Sequence, residues 1–298
     1  MGQSRTPLRY PGGKQKLSPF IFELLKENDL VGGHYVEPYA GGAGAAMDLL
    51  LSGKVDSVHL NDSSFAVYAF WRSILNRTEE FCRQIRSASL TVEEWQKHKY
   101  IIKNHNEFDE FEVGFSTFYL NRCNRSGVLT AGLIGGNDQS GKWKMDARFS
   151  RNDLIKRVEA IAINATSISL SNLDTEVYLR DYGNQMPANT LIYFDPPYYE
   201  KASGLYLDFY KKQDHSRLSD VIQQRVNQKW VLSYDGAEEI ISLYNQRRLF
   251  LYDLQYNAST VYKGKEVFIF CDDLRLPASS CLSYIDRGLR NIEIEMPV

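Results

Sequence analysis

The chain of 298 residues is 43% hydrophobic and 24% charged, which is the composition of an ordinary globular protein. It contains no stretch near the ~20 apolar residues of a membrane helix and no apolar signal-peptide core at its N-terminus, so we expect a cytoplasmic protein without a membrane segment. Its four scattered cysteines form no C-x-x-C pair and its five histidines do not cluster with them, so neither a disulfide framework nor a metal site is indicated.

The charges are unevenly distributed along the chain. A formal net charge of −2 by itself argues against a nucleic-acid-binding protein. However, residues 1–20 carry four basic side chains and no acidic one, and residues 115–160 carry eight bases against four acids. A polyanion would meet a local basic patch there. A solvated protein surface explains the same excess, so the charge pattern alone leaves both interpretations open.

The first third of the chain predicts the opening of an α/β sheet. Residues 34–53, HYVEPYAGGAGAAMDLLLSG, predict a strand, a glycine-rich turn and a helix, and SVHLND predicts a second strand ending at Asp62. Residues 65–106 then have helical periodicity, and Thr91 and Glu94 have the spacing of a capping box. This long helical stretch interrupts the alternation of strands and helices, so we interpret it as the start of an insertion.

The second half returns to the alternating pattern after a polar stretch. Residues 125–149 are rich in glycine and basic residues, which favours a hairpin or long loop. SRNDLIKRVEAIA then predicts a helix capped by Ser150. Further strands are predicted from TSISLSNLD, TLIYFD, KWVLSYD, RRLFLYDLQY and KEVFIFCDD, with SRLSDVIQQRVNQ and GAEEIISLYNQR as helices between them.

These elements predict one doubly wound, mostly parallel α/β sheet domain made from both ends of the chain. Residues 1–64 and 161–298 would form it, and residues 65–160 would form a basic insertion of helices and loops. In such sheets the ligand lies at the carboxyl ends of the strands. Four acidic residues are predicted to fall there: Asp62, Asp174, Asp195 and Asp235.

The turn EPYAGGAG is a candidate nucleotide site. Gly41, Gly42 and Gly44 allow the backbone to approach a ligand closely, although a tight turn without a ligand explains the glycines equally well. Asp62 lies 21 residues after Gly41 at the end of the next strand, where an acid accepts hydrogen bonds from ribose hydroxyls. The combination indicates an adenosine-containing cofactor without identifying which one.

The stretch LIYFDPPYYE, residues 191–200, is built to hold an amine. Asp195 would be an ionised acceptor at the strand end, and Pro196 and Pro197 offer carbonyls without backbone donors. A ring amine could give one hydrogen to Asp195 and the other to the Pro196 carbonyl, with its ring against Tyr198. Two acceptors outside the amine plane favour a tetrahedral nitrogen with an available lone pair, ready to attack a reactive methyl or similar group. The alternative is a rigid turn with a surface tyrosine.

Taken in order, these segments resemble the Dam-like, alpha-group (D12 class) DNA adenine methyltransferases, which use S-adenosylmethionine (SAM). RYPGGK resembles their N-terminal cofactor motif, VEPYAGGAG their glycine loop, LND their ribose-binding acid, FYLNRCNRSG the start of their target-recognition hairpin, and DPPY their catalytic motif. In this group the recognition segment lies between the ribose acid and DPPY, as the basic insertion does here. The resemblance implies a Rossmann-like methyltransferase sheet with a helical and hairpin target-recognition insertion.

The resemblance also implies an activity and site residues. The methyl group of SAM would pass to the N6 amine of an adenine flipped out of double-stranded DNA at a specific sequence, leaving S-adenosylhomocysteine and needing no metal. The implied catalytic residues are Asp195, Pro196 and Tyr198. The implied cofactor-binding residues are Tyr10, Lys14, Glu37, Gly41, Gly42, Asp62, Asp174 and Asp195. The implied DNA-binding residues are Arg122, Arg125 and Lys144.

One departure concerns the target sequence. Members that methylate GATC show a pattern like N-G-L-x-R in the recognition hairpin, whereas this chain reads SGVLTAG with Thr130 near the expected arginine. Either another arginine reads the guanine or the target differs, and we expect the second. A cytosine N4 methyltransferase and a catalytically silent nucleic-acid-binding relative remain alternatives. The role also stays open between solitary or viral modification and partnership with a companion restriction endonuclease.

Overall fold

The computed structural model describes residues 5–9, 14–199, 210–253, 265–277 and 283–284. The strands in these ranges are β1 (His34–Glu37), β2 (Ser57–Asn61), β3 (Ile168–Ser171), β4 (Thr190–Phe194), β5 (Lys229–Asp235), β6 (Arg248–Asp253), β7 (Lys265–Phe270) and β8 (Ser283–Tyr284). The helices are α1 (Ser18–Glu27), α2 (Gly44–Leu51), α3 (Phe65–Asn76), α4 (Thr78–Ser87), α5 (Val92–Lys103), α6 (Glu110–Cys123), α7 (Arg151–Ala162), α8 (Thr175–Tyr182), α9 (Lys212–Arg225) and α10 (Glu238–Leu243).

The described strands form one sheet in the order β3-β2-β1-β4-β5-β7-β6-β8. β1 to β5 pair in parallel, and β7 lies antiparallel between β5 and β6. The predicted doubly wound, mostly parallel sheet is therefore confirmed. The chain builds β1, β2 and β3 towards one edge and then returns to place β4 on the other side of β1. The carboxyl ends of β1 and β4 thus flank the switch point, where such sheets bind ligands.

The central strands are buried along almost their whole length. All five residues of β4 are buried, and so are six of the seven in β5. Such burial, with a mainly apolar sequence, is typical of a parallel strand between two layers of helices. Most of the charged residues are therefore found at the strand ends and in the loops.

The predicted secondary structure agrees with the structure in most places. The Thr91 side chain caps α5 by accepting a hydrogen bond from the Glu94 amide at 3.2 Å, as its spacing predicted. Ser150 does precede α7, but its side chain makes no capping hydrogen bond. The stretch after α6 forms turns and short 3₁₀ segments with one isolated bridge between Asn124 and Leu133.

The helices between β2 and β3 share the hydrophobic core of the sheet. Phe70 and Phe118 from these helices belong to the same buried cluster as Val36 and Ile192 from the strands. The Trp71 indole also donates a 2.9 Å hydrogen bond to the Gly41 carbonyl in the glycine turn. Residues 65–160 are therefore inserted in sequence but continuous with the sheet in packing. Among the described residues, no helix is long and apolar enough to cross a membrane.

The buried side chain of Asn121, near the end of α6, holds the N-terminal segment in place. The Asn121 side chain accepts from the Arg9 amide at 2.7 Å and donates to the carbonyls of Arg9 at 2.6 Å and Gly127 at 2.8 Å. Gly127 has a φ of +78°, and a Cβ there would lie 2.5 Å from the Arg9 carbonyl oxygen. Only glycine fits this close approach. The segment 5–9 is thereby fixed to the base of the loop that follows α6.

We predict that Gly114→Ala destabilises the fold through the contact between α3 and α6. An added Cβ would lie 2.4 Å from both the Ala69 carbonyl oxygen and Ser73 Oγ, so a helix must shift. Overpacking of this kind costs about 1–3 kcal/mol, which outweighs the ~1 kcal/mol by which alanine favours a helix over glycine. Thermal unfolding should show a Tm several degrees lower. Gly132→Ala is the matched control, because a Cβ there meets nothing within 4 Å. Equal Tm values for the two variants would contradict the close packing.

Candidate active site

The acidic residues predicted at the strand ends do meet at one edge of the sheet. Asp62 directly follows β2, Asp195 directly follows β4, and Asp235 is the last residue of β5. Glu37 ends β1 at the switch point. Asp174, after β3, is exposed and caps α8 by accepting from the Glu176 amide at 2.9 Å and the Val177 amide at 3.3 Å.

Lys14 is the centre of a buried polar cluster at this edge. Its ammonium lies 3.2 Å from Asp195 Oδ1 and 3.2 Å from Glu266 Oε2, and it donates to the Tyr198 hydroxyl at 3.3 Å. The Tyr198 hydroxyl in turn donates to Glu266 Oε1. The Lys14 side chain is only 10% exposed. A buried ammonium needs such partners, so its position here is set by two carboxylates and a phenol.

Asp195 is held from one side and open on the other. Ser233 donates to its Oδ1 at 2.8 Å, and the Tyr193 and Ser233 hydroxyls are 2.7 Å apart. Burial raises the pKa of Asp195 above its ordinary value, while the adjacent Lys14 acts in the opposite direction. The side chain is still 25% exposed. The contacts with Lys14 and Ser233 fall on Oδ1, which leaves Oδ2 as the oxygen most available to a bound amine.

Glu266 was not among the residues predicted from the sequence. It lies in β7, where KEVFIF reads as an ordinary buried strand, and its side chain is 3% exposed. The available signal was the charge itself, because an ionised glutamate inside an apolar strand requires a buried partner. The sequence could not identify that partner, since Lys14 is 252 residues away.

The glycine turn and Asp62 form a compact unit. Asp62 Oδ2 accepts from the Gly41 amide at 2.8 Å, and Oδ1 accepts from the Ser64 amide at 2.9 Å. Gly41 and Ala43 have left-handed backbones, with φ of +45° and +44°. Gly42 is buried between them. Asp62 therefore fixes both the glycine turn and the start of α3.

Lys14 is brought to the glycine turn by close packing. A Cβ on Gly44 would lie 3.2 Å from the Gln15 amide nitrogen, so the short 3₁₀ segment Lys14–Leu17 rests directly on the start of α2. Lys14, the last residue of the motif RYPGGK, therefore lies next to the glycine turn, because the following residue Gln15 packs on Gly44. The sequence predicted the two segments as separate parts of a cofactor site. Tyr10, predicted with them, lies outside the described residues.

Glu37 faces the protein interior. It is 5% exposed, and its Oε1 accepts from the Ala46 amide at 3.0 Å, which ties the end of β1 to α2. Burial raises the pKa of Glu37 to about 8. The side chain is thus largely protonated near neutral pH. Its role in the structure is to hold α2 against the end of β1.

Comparison with known families explains this combination of segments. The chain matches the family model of D12 class N6 adenine-specific DNA methyltransferases over residues 10–259. It belongs to this family. SAM is accordingly the methyl donor and DNA the substrate.

Other comparisons add little to the family assignment. A structural comparison finds the rRNA methyltransferase aviRa from Streptomyces viridochromogenes, with 11% identity, a TM-score of 0.37, and coverage of 88% of this chain and 86% of that chain. At this identity and TM-score, the likeness supports no statement about the function of this chain. A comparison with curated proteins finds no match.

The three basic residues predicted to contact DNA differ in their surroundings. Arg122 is 7% exposed, and its guanidinium donates to the carbonyls of Arg148 at 2.7 Å and Pro7 at 3.3 Å. Burial, helped by nearby arginines, lowers its pKa to about 9. In this methyltransferase Arg122 therefore supports the protein backbone. Arg125 and Lys144 are exposed on the loop after α6.

An open groove of about 490 Å³ lies in the same loop. Its lining residues include basic, aromatic and glycine positions, among them Arg125, Gly135, Gly141, Lys142 and Trp143. The Trp143 side chain is 65% exposed, and Lys142 lies over its ring at 5.9 Å from the centroid. Neither residue was singled out from the sequence, although an aromatic between two lysines in a polar loop, KWK, was the available signal.

We predict that Glu37→Gln stabilises the cofactor-free methyltransferase more at pH 8 than at pH 5. Between about pH 4.5 and about 8 the folded protein retains a proton on Glu37 that the unfolded chain has released. Stability contributed by this group therefore falls as pH rises through that window. Glutamine keeps the acceptor for the Ala46 amide and does not titrate. The Tm difference between variant and wild type should grow from pH 5 to pH 8, whereas exposed Glu239→Gln should show a constant difference. A constant difference for Glu37→Gln would contradict the raised pKa.

Proposed function

We propose that this enzyme transfers the methyl group of SAM to the N6 amine of an adenine that is flipped out of duplex DNA at a specific sequence other than GATC. The observation that carries the proposal is the Asp195 carboxylate at the switch point, with Lys14 and Ser233 on one oxygen. Pro196 and Tyr198 follow it directly in the DPPY segment. This arrangement presents acceptors and an aromatic ring to a planar amine.

The residues at the strand ends fit the cofactor. Asp62 is half-buried at the carboxyl end of β2, and each of its oxygens accepts one backbone hydrogen bond. A carboxylate at this position, the end of the strand that follows the glycine turn, suits ribose hydroxyls. Gly41 and Gly42 would lie under the cofactor, Asp174 beside its adenine, and Tyr10 and Lys14 at its methionine end. When bound, SAM supplies an electrophilic methyl group.

Asp195 and Pro196 would act on the amine of the substrate. The carboxylate would accept one amine hydrogen and the Pro196 carbonyl the other, which favours a tetrahedral nitrogen with its lone pair free to attack. As the N–C bond forms, the nitrogen becomes positively charged and must lose a proton. Asp195 suits this step, because burial raises its pKa and makes its carboxylate a stronger base. The proton would pass from nitrogen to Asp195 and then to solvent.

The position of Asp195 supports base flipping. The carboxylate lies at the sheet edge, 25% exposed and surrounded by the side chains of Lys14, Ser233 and Tyr198. An adenine stacked inside a duplex cannot bring its amine to such a site. Extruding the base costs a few kcal/mol, which stacking on Tyr198 and hydrogen bonds to the Watson–Crick edge would offset.

Residues 65–160 would provide the DNA-contact surface, mainly through the loop after α6. Arg125, Lys142, Trp143 and Lys144 are its exposed basic and aromatic side chains. Arginine and lysine contact phosphates and guanine edges, and an exposed indole can stack on a base. Arg122 would support the loop from below through its bonds to backbone carbonyls. A loop with Thr130 at the position expected for arginine supports a target other than GATC.

We predict that Asp195→Ala lowers the methylation rate by at least about a hundredfold, the scale seen when one preorganised electrostatic contact to a reacting group is removed. The measurement is transfer of labelled methyl from SAM to DNA, with Tm and SAM affinity as controls for folding. Asp220→Ala on α9, away from the strand ends, is a matched control that should retain activity. Full activity in Asp195→Ala would contradict the mechanism.

Two further measurements test the substrate. Long-read sequencing of DNA from cells that express the chain should map N6-methyladenine to one recurrent sequence, and modification at cytosine or at GATC would overturn that part of the proposal. With the site known, 2-aminopurine can replace the target adenine in a duplex. Its fluorescence should rise on binding if the base is flipped, and unchanged fluorescence in a bound complex would argue against flipping.

We predict that the double variant Arg125→Gln, Lys144→Gln weakens DNA binding without changing SAM affinity. Each lost phosphate contact should lower the slope of log K against log salt by about one, so affinity must be measured over a series of salt concentrations. The control is Lys26→Gln on α1, an exposed lysine that pairs with Glu23 and lies outside residues 65–160. An equal loss of DNA and SAM affinity would contradict assignment of the DNA surface to this loop.

A further inference from the structure

Glu266 touches the groups around Asp195 but has no role in the steps described above. Its Oε1 and Oε2 lie 3.3 Å and 3.2 Å from the Lys14 ammonium, and Oε1 also accepts from the Tyr198 hydroxyl. It thus contacts two side chains that themselves face the amine pocket. Glu266 lies opposite Asp235 in the pairing of β7 with β5, so its backbone is fixed by the sheet.

A purely structural need does not explain an acid at this position. Burying an ionised carboxylate costs several kcal/mol, and replacing a buried ion pair by apolar residues is often neutral or stabilising. The following residues of β7, Val267, Phe268 and Ile269, are apolar and fully buried. An apolar residue at position 266 with a neutral one at position 14 would therefore suit the strand as well as the ion pair does.

The charges of the cluster show what Glu266 changes. Lys14 is shared between two carboxylates at 3.2 Å each, so the formal net charge of Asp195, Glu266 and Lys14 is −1 when all three are ionised. Without the charge of Glu266, Lys14 would pair with Asp195 alone, and the net charge would be zero. Asp195 would then be a weaker acceptor for the amine hydrogen. It would also stabilise less well the positive charge that develops on the nitrogen.

The same carboxylate fixes the ring that faces the base. The Tyr198 ring is held at two points, by the backbone after β4 and by the hydroxyl bonded to Glu266. Lys14 lies 5.6 Å from the centroid of this ring. A ring fixed at both ends is preorganised for stacking on the target base. This matters because a small displacement of a bound substrate can lower the reaction rate strongly.

We propose that Glu266 is a positioning residue for methyl transfer: it draws Lys14 away from exclusive pairing with Asp195 and anchors Tyr198. This inference rests on the proposed function, because it assigns Glu266 a part in that reaction. Glu266 itself does not touch the substrate in this scheme.

The test is the single-turnover methylation rate of Glu266→Gln with saturating SAM, which separates chemistry from product release. We expect the rate to fall about tenfold to a hundredfold, because the shape is kept but the charge and its geometry are lost. SAM affinity should stay within about twofold of wild type. Glu239→Gln on the surface of α10 is the matched control and should keep the wild-type rate.

The pH dependence of that rate provides a readout that a structural role would not move. Glu266 raises the pKa of Asp195 and Lys14 lowers it, so removing the charge of Glu266 should shift the acidic limb of the rate profile to lower pH. The titratable and charged groups that interact with Asp195 from the surrounding elements are Lys14, Tyr35, Glu37, Tyr193, Tyr234 and Glu266. All of these groups except Glu266 are present in both the wild type and Glu266→Gln, so their effects on the pKa of Asp195 cancel in the comparison.

Glu266→Asp completes the test. It keeps the charge but withdraws the carboxylate by one methylene, so we expect an intermediate rate with the acidic limb near its wild-type position. It also decides the question if Glu266→Gln fails to fold, since a wild-type rate in Glu266→Asp would overturn the positioning role. A wild-type rate and pH profile in Glu266→Gln would overturn it directly, while an active wild type would leave the proposed function standing. A wild type without activity on DNA would overturn both.

Discussion

The pairing of the Lys14 ammonium with two carboxylates, Asp195 and Glu266, is the interaction on which the candidate active site depends. The ammonium lies 3.2 Å from both Asp195 and Glu266, in surroundings where an unpaired charge of either sign would be costly. To pair the Lys14 ammonium with both carboxylates, the N-terminal segment, the loop after β4 and the strand β7 must come together at one point. The sheet order makes this meeting possible, because β5 alone separates β4 from β7.

The rest of the molecule holds these three partners in register. The segment before Lys14 is fixed by Asn121 and Arg122, whose side chains bind the backbone of Arg9 and Pro7. Asn121 and Arg122 lie in the last turn of α6, and Gly127 closes the turn that follows. The base of the exposed basic loop is therefore joined to the segment that leads to Lys14. Under the proposed function, DNA contact and methyl transfer would share this buried polar connection through α6.

The glycine turn and the ends of β1 and β2 are also held by internal hydrogen bonds. Asp62 shapes the glycine turn with one oxygen and the start of the next helix with the other, and the turn in turn accepts the indole of Trp71. Glu37 ties β1 to α2 from inside. The edge is thus preorganised by protein hydrogen bonds, so binding a ligand there need not order the loop.

The sequence could predict the elements more easily than the contacts. The strand before Asp195 and the turn at Gly41 were predictable because local residue patterns, glycine turns and strand periodicity depend on neighbours in sequence. The Ser150 cap was correct in position but wrong in its hydrogen bond, since the rotamer depends on packing. Arg122 was predicted as a DNA contact because it lies in a basic stretch. Almost every side chain of α6 is buried, so helical periodicity could not show which way Arg122 faces.

The sequence by itself determined the family-defining segments, their order, and the chemistry available at each strand end. It did so because a strand followed by Asp-Pro-Pro-Tyr, or by a glycine turn, has its local geometry encoded in adjacent residues. Only the tertiary structure decided that Lys14 joins Asp195, that Glu266 completes the cluster, and that Arg122 is a support for the loop. These contacts join groups that are up to 252 residues apart in the sequence. They also depend on which side chains are buried when the elements pack together. A local sequence pattern contains no information about either.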